Sequence, residues 1–184
     1  YTTEERKPYS YFLDPMMERI GQFFKDEGMT RPAVVIEPGR SIVGEAGITL
    51  YTVGSIKDIR GVRKYVSVDG GMTDNIRPAL YQAVYDGVIA NKAEEAKEEV
   101  VTICGKCCES GDILIRDIAV PSPESGDTFA IFSTGAYGYS MASNYNKNGI
   151  PAVVFVKEGK SALTVKRQTM DDLIRNVIIP DSMA

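Results

Sequence analysis

The feature that most limits how this chain can fold is a change of pattern near residue 47. Ahead of it the sequence offers only one helix and one apolar strand. Asp14-Pro15 reads as the N-cap and first helical position, with Met16, Met17, Ile20, Phe23 and Phe24 at helical spacing and Gly28 as the stop. Ala33-Val34-Val35-Ile36 follows, a short continuous apolar run that suits a parallel-sheet strand buried on both faces. One helix–strand unit cannot bury its own faces, so residues 1–45 are expected to be the end of an α/β domain. After Gly47 the pattern becomes alternating and rich in β-formers over Ile48–Ile59, Tyr65–Val68, Val100–Ile103, Ile113–Val120, Thr128–Phe132, Ala152–Lys157 and Ala162–Lys166. Turn signals separate these runs at Gly61, Gly70-Gly71, Ser110-Gly111-Asp112, Pro121 to Asp127 and Glu158-Gly159. Many short strands with frequent turns predict a β-sandwich or barrel over residues 46–184. The charge run Asn91–Glu99 reads as a solvated loop or edge, and the repeated Glu-Ser-Gly-Asp at 109–112 and 124–127 as turn chemistry.

Composition removes several classes of function. The chain of 184 residues carries a net charge of −4 with no basic block, which argues against nucleic acid as a partner. No apolar run approaches the roughly 18 to 20 residues of a membrane span. There is no His, so Ser-His-Asp and Cys-His catalysis cannot be built within this chain. Cys104, Cys107 and Cys108, odd in number and clustered, are no disulfide framework and point to a reducing cytoplasm. The sequence opens at Tyr1 without Met in a polar stretch, which suggests a piece of something longer.

Four segments are unusual for plain scaffold. Glu37-Pro38-Gly39-Arg40 stands directly after the expected strand, where α/β folds place ligands. Gly39 permits close backbone approach, Arg40 offers a fork that matches a carboxylate or phosphate, and Ser41 could cap a short helix. A tight turn with a surface Arg fits the same residues. Asp69-Gly70-Gly71-Met72 is followed by Asn75-Ile76-Arg77-Pro78-Ala79-Leu80-Tyr81, in which Arg77 and Tyr81 share a face if the segment is helical. Cys104-Gly-Lys-Cys107-Cys108-Glu109 admits three readings. A zinc site lacks further ligands, and a thioredoxin-like motif would have to open a helix. The third is a Cys–Glu pair on a loop, with the thiol as proton donor or nucleophile. Last, the glycines around Tyr137 in Gly135-Ala136-Tyr137-Gly138 would let its ring lie against a flat ligand.

Taken in order, Glu37-Pro38-Gly39-Arg40-Ser41-Ile42-Val43, Asn75 to Tyr81, Cys108-Glu109-Ser110-Gly111-Asp112 and Gly135 to Gly138 resemble the C-terminal half of the diaminopimelate decarboxylase family. These are fold-type III decarboxylases that depend on pyridoxal phosphate (PLP). The resemblance implies the last helix–strand unit of a (β/α)8 PLP-binding barrel followed by a C-terminal β-sandwich or Greek-key-like domain. It implies a homodimer with active sites at the interface and conversion of meso-2,6-diaminopimelate to L-lysine and CO2. By the same resemblance Glu37, Pro38, Gly39 and Arg40 line the cofactor phosphate site, with Arg40 also reaching substrate. Arg77 and Tyr81 bind the substrate's distal end, Glu109 contacts substrate from the partner subunit, Cys108 is the general acid, and Tyr137 touches both cofactor and substrate. A substrate with an amino-acid group at each end explains the arginines; ornithine- and arginine-type relatives usually place Asp where this chain has Glu109. Those relatives, or a carboxynorspermidine-type decarboxylase, are the alternative within the architecture. A non-catalytic β-rich dimerisation or binding module is the alternative outside it. The family's Schiff-base lysine and glycine-rich phosphate loop belong upstream of Tyr1, so the chain alone is expected to be inactive. Cys107 is expected to serve packing.

Overall fold

Strand β1 (Thr49–Ile59) organises the domain because it pairs on two sides with different halves of its length. Thr49–Thr52 runs antiparallel to β6 (Thr128–Ile131), whereas Val53 and Ile56–Ile59 pair antiparallel with β2 (Arg63–Val68). The ladder shifts register between Val53 and Ile56. There the Ser67 hydroxyl accepts from the Ser55 amide and donates to the Ser55 carbonyl, both at 2.9 Å, so the irregularity keeps its polar groups bonded. With β3 (Gly87–Ile89), β4 (Glu99–Cys104) and β5 (Ile113–Val120), the strands form one sheet in the order β3-β6-β1-β2-β4-β5. Every pairing is antiparallel except β2 with β4. That parallel step needs a long crossover, and residues 69–98 supply it and carry α3 (Arg77–Tyr81). The computed structural model describes residues 5–183; Tyr1 to Glu4, at the polar opening of the chain, and Ala184 lie outside the described residues.

The sheet closes on a core of alternating inward residues. Val53, Val66, Val101, Ile103, Phe129 and Ile131 are almost fully buried, joined by Tyr51, Leu114 and Val120. The mixed sheet and scarcity of helix agree with the sandwich-like architecture expected from the spacing of turns. The two Glu-Ser-Gly-Asp tetrads are indeed turns, and each hides its final Asp. The Asp112 carboxylate accepts from the Met72 and Cys107 amides at 2.7 and 2.8 Å; that of Asp127 accepts from the Glu124 amide and the Asn91 amide group, both at 2.8 Å. Lys92, within the mostly exposed charge run, pairs with Asp127 at 3.0 Å. A separate hairpin, β7 (Val153–Lys157) with β8 (Lys160–Val165), turns at Glu158-Gly159, both with positive φ as a two-residue hairpin loop of this twist demands. Helix α4 (Met170–Ile174) begins with a capping box between Thr169 and Asp172.

The first 46 residues depart from expectation in two ways. Helix α1 spans Tyr9–Asp26, so it starts a turn and a half before Asp14 and carries Pro15 inside it. Pro8 at the N-cap starts it, and Gly28, in a left-handed conformation, follows its end as expected. No residue of α1 is buried. Ala33-Val34-Val35-Ile36 is not a strand and is not buried; Val35 is 83% exposed. A parallel strand exists only through its neighbours, and no strand lies beside this segment among the described residues. Strand β3 escaped the sequence reading because three residues carry no periodicity.

Candidate active site

The segment after the apolar run builds a turn against the loop that carries Tyr137. Helix α2 (Arg40–Val43) starts after Gly39, so Ser41 lies within it and does not cap it. The Ser41 hydroxyl instead accepts from the Tyr9 hydroxyl at 3.0 Å. Two backbone bonds tie the next turn to the Tyr137 loop: Thr134 N–H to the Gly47 carbonyl and Gly135 N–H to the Gly44 carbonyl, both at 2.9 Å. A Cβ on Gly135 would lie 2.0 Å from the Val43 carbonyl oxygen. The absent side chain at Gly135 therefore serves a backbone crossing, where the sequence suggested room for a ligand. Tyr137 itself has φ 59°, a left-handed conformation that costs a bulky residue about 1–3 kcal/mol and that clusters at functional sites. Its hydroxyl rests against Gly39, where a Cβ would come within 2.3 Å of it.

Arg77 completes this cluster. The α3 segment is helical, so Arg77 and Tyr81 share a face as the spacing required, with the guanidinium 4.9 Å from the Tyr81 ring centre. The same guanidinium lies 5.2 Å from the Tyr137 ring centre. Two aromatic faces thus hold a planar cation in one orientation. Arg40 is held in the same manner by Tyr85, over whose ring it lies at 5.3 Å and to whose hydroxyl its Nη1 donates at 3.4 Å. Tyr85 was missed in the sequence because it is spaced to no motif and only its burial marks it. Glu37 is exposed and Pro38 half-buried at the approach to Gly39.

Cys108 and Glu109 form a second cluster on the turn between β4 and β5, and both are exposed. No helix follows Cys107, which removes the thioredoxin-like reading. The turn is anchored underneath: the Lys106 amide donates to the Gly70 carbonyl at 3.0 Å, and Gly105 and Gly71 leave room for the Asp112 carboxylate. Burial, reinforced by the Asp112 charge, raises both the Cys104 and the Cys107 thiols above their ordinary range. Those two thiols stay protonated, and the Cys107 sulfur accepts from the Asn148 side chain at 3.6 Å. Glu109 accepts a hydrogen bond from the Tyr145 hydroxyl. That bond, and the carboxylate charge, raise the Tyr145 hydroxyl above its ordinary value. Tyr145 also went unseen in the sequence, because a contact across 36 positions leaves no local pattern. Beneath the crossover, burial raises Asp74 and, more strongly, Tyr51, whose ring fills the space a side chain on Gly70 would need.

The site therefore presents two arginines stacked on aromatic rings beside a glycine-opened turn, and an exposed thiol–carboxylate pair on a braced loop. It can hold a flat anionic group and a second carboxylate, and it can donate a proton. A family model described as the C-terminal sheet domain of pyridoxal-dependent decarboxylases matches residues 9–135. The diaminopimelate decarboxylase of Bacillus subtilis (strain 168) is 53% identical over 175 residues, covering 94% of this chain and 40% of that relative. A solved diaminopimelate decarboxylase from M. jannaschii superposes with a TM-score of 0.87 at 36% identity, over 100% of this chain and 41% of that one. A second, in complex with L-lysine, gives 0.79 at 38% identity over 94% of this chain and 38% of that one. The chain spans about two fifths of the length of these relatives.

Proposed function

This chain belongs to the pyridoxal-dependent decarboxylases, whose C-terminal sheet domain it carries, and on that premise we propose that it forms the substrate-gripping and proton-donating part of a diaminopimelate decarboxylase. The observation that carries the reading is Arg77 held between the rings of Tyr81 and Tyr137, with the Tyr137 hydroxyl seated on Gly39. On this reading residues 1–45 close a barrel domain and residues 46–184 form the sheet domain. The exposed apolar run at Val34 to Ile36 suits a strand whose neighbours lie in that barrel.

PLP fits these residues. The donor set suits it: the bare backbone of Gly39 lets the Tyr137 hydroxyl sit against the turn, Tyr137 supplies a ring, and the Arg40 guanidinium follows at the start of α2. Glu37 to Arg40 would line its phosphate, with Tyr137 against its ring. When bound, the cofactor supplies the electron sink that makes loss of a carboxylate feasible. The chain's own residues do the rest. Arg77, fixed by its two rings, takes the distal carboxylate that is to be kept, with Tyr81 closing that end; Arg40 reaches the substrate from the other side. Glu109 accepts from a substrate ammonium. The Cys108 thiol, exposed on the β4–β5 turn, delivers the proton to the carbon that CO2 leaves. A substrate with an amino acid at both ends, meso-diaminopimelate, uses every one of these groups, and L-lysine is the product.

Cys108 and Glu109 stand exposed, as residues that complete a neighbouring subunit's site would, so the working form is a homodimer with shared active sites. Exposed Val154, Phe155, Val156 and Leu163 on the β7–β8 hairpin suit such contacts. Three free thiols suit a cytoplasmic protein; among the described residues no helix is long and apolar enough to cross a membrane.

The test is Cys108→Ala in the enzyme that contains this chain. Turnover of meso-diaminopimelate falls on the order of 100-fold or more, with the absorbance of bound cofactor unchanged. Unaltered turnover, or loss of the cofactor, overturns the assignment.

A further inference from the structure

Cys108 has one neighbour on each side, Cys107 and Glu109, and residues 143–148 grip both. The Tyr145 hydroxyl donates to Glu109 Oε1, and Asn148 Nδ2 donates to Cys107 Sγ at 3.6 Å. The gripping segment is itself fixed. The Ser143 amide donates to the Thr73 carbonyl at 3.0 Å. Asn144 Nδ2 donates to the Asn148 carbonyl at 2.8 Å and to Gln168 Oε1 at 2.6 Å. Asn146 and Lys147 take positive φ, 53° and 57°, which bends the backbone tightly enough for Tyr145 and Asn148 to face one loop. From below, Asp112 Oδ2 accepts from the Cys107 amide at 2.8 Å.

Tyr145 is 47% exposed and lies outside the core, so packing does not explain it. A phenol that donates to one carboxylate oxygen leaves the other oxygen, and the remaining lone pairs, for an incoming cation. It also fixes a long side chain in one rotamer before ligand arrives, which removes an ordering cost from binding.

We propose that Tyr145 is a positioning residue that aims Glu109 at a substrate ammonium, with Asn148 steadying Cys107 so that the Cys108-Glu109 pair is presented in one direction. This rests on the reading that Glu109 contacts substrate.

The experiment compares Tyr145→Phe, Glu109→Gln and the double variant in the PLP-loaded enzyme containing this chain. Tyr145→Phe deletes one oxygen from a half-exposed ring, so the thermal midpoint stays at the unmodified value. The KM for meso-diaminopimelate rises about five- to tenfold, the size of one typical hydrogen bond, while kcat changes less than about twofold. The Kd for L-lysine, measured by calorimetry without turnover, weakens by the same factor. In the Glu109→Gln background the Tyr145→Phe change adds nothing, because its effect passes through that carboxylate. Unmodified KM and lysine binding in Tyr145→Phe, beside a clear loss in Glu109→Gln, overturns the proposal and leaves the role of Glu109 standing. Additive effects in the double variant overturn it equally. Unchanged KM and lysine binding in Glu109→Gln removes Glu109 from the site and the proposal with it.

Discussion

The six-stranded sheet and the arm ahead of it contain similar apolar side chains, yet only the sheet buries them. Phe129 and Ile131 lie wholly inside, sealed by strands that approach from both sides of β1. In the arm, Phe23 is 56% exposed, Val35 more so, and no residue of α1 is fully buried. The difference teaches that an apolar stripe records a need for cover without recording what provides it. The sheet's cover comes from this same chain, whereas in the arm Leu13, Met17, Ile20 and Phe24 are no more than half-buried.

The comparison can be broken most directly by Phe129→Ala, which should cost about 3–5 kcal/mol because a full ring is lost from a closed core. Urea unfolding measures it, and a cost under about 1 kcal/mol would place Phe129 outside any real core. The seam between the two regions comes next. Gly135→Ala forces a methyl against the Val43 carbonyl and should cost about 2–3 kcal/mol, with the Arg40 turn and the Tyr137 loop coming apart. Loss of substrate affinity should accompany it; an unchanged melting temperature and KM would show that the two segments move independently.

Acid should then weaken the sheet. Burial opposes ionisation of Asp127, but hydrogen bonds from Asn91 and the Glu124 amide, with Lys92, outweigh it and hold the carboxyl below its ordinary value. Lys64 and Ser122 do the same for Glu99. Both contributions are complete above the unfolded carboxylate range near pH 4 and disappear as pH falls through the lower folded values. Asp74, raised by burial, works in the opposite direction and softens the loss. Asp127→Asn should cost about 1–2 kcal/mol at pH 7 and flatten this dependence in denaturation curves taken across pH 7 to 3; a slope equal to the unmodified one would remove Asp127 as its source. Smallest of all is Phe23→Ala, expected within about 0.5 kcal/mol in this chain. A penalty like that of Phe129 would mean that the arm is packed after all.

Much of the sheet was legible because turn residues and alternation are local. Ile113–Val120 was read to the residue, and Gly61 and Glu158-Gly159 sit where the chain reverses. The arm was read less well for the complementary reason. Asp14-Pro15 resembles a helix start, and nothing nearby in sequence announces that Pro8 and Tyr9 begin the helix earlier. Val34 to Ile36 has the composition of a buried strand, but strand formation depends on neighbours that composition does not contain. In the site, Arg77 and Tyr81 were found as a pair through helical spacing, and Tyr137 through its glycines. Tyr85 and Tyr145 were not, because their contacts with Arg40 and Glu109 bridge 45 and 36 positions and so leave no local spacing to read.

Strand β1 also sets how the chain must reach its fold. Its pairing with β2 is a local hairpin that can zip early, whereas its other half must wait for β6, since Thr49 meets Ile131 only after all the intervening chain has been gathered. Closing so long a loop before any reward from contact makes assembly slow. Refolding from urea should therefore be slow for a chain of this size, with amides of the β1–β2 hairpin gaining protection from hydrogen exchange before those of β6.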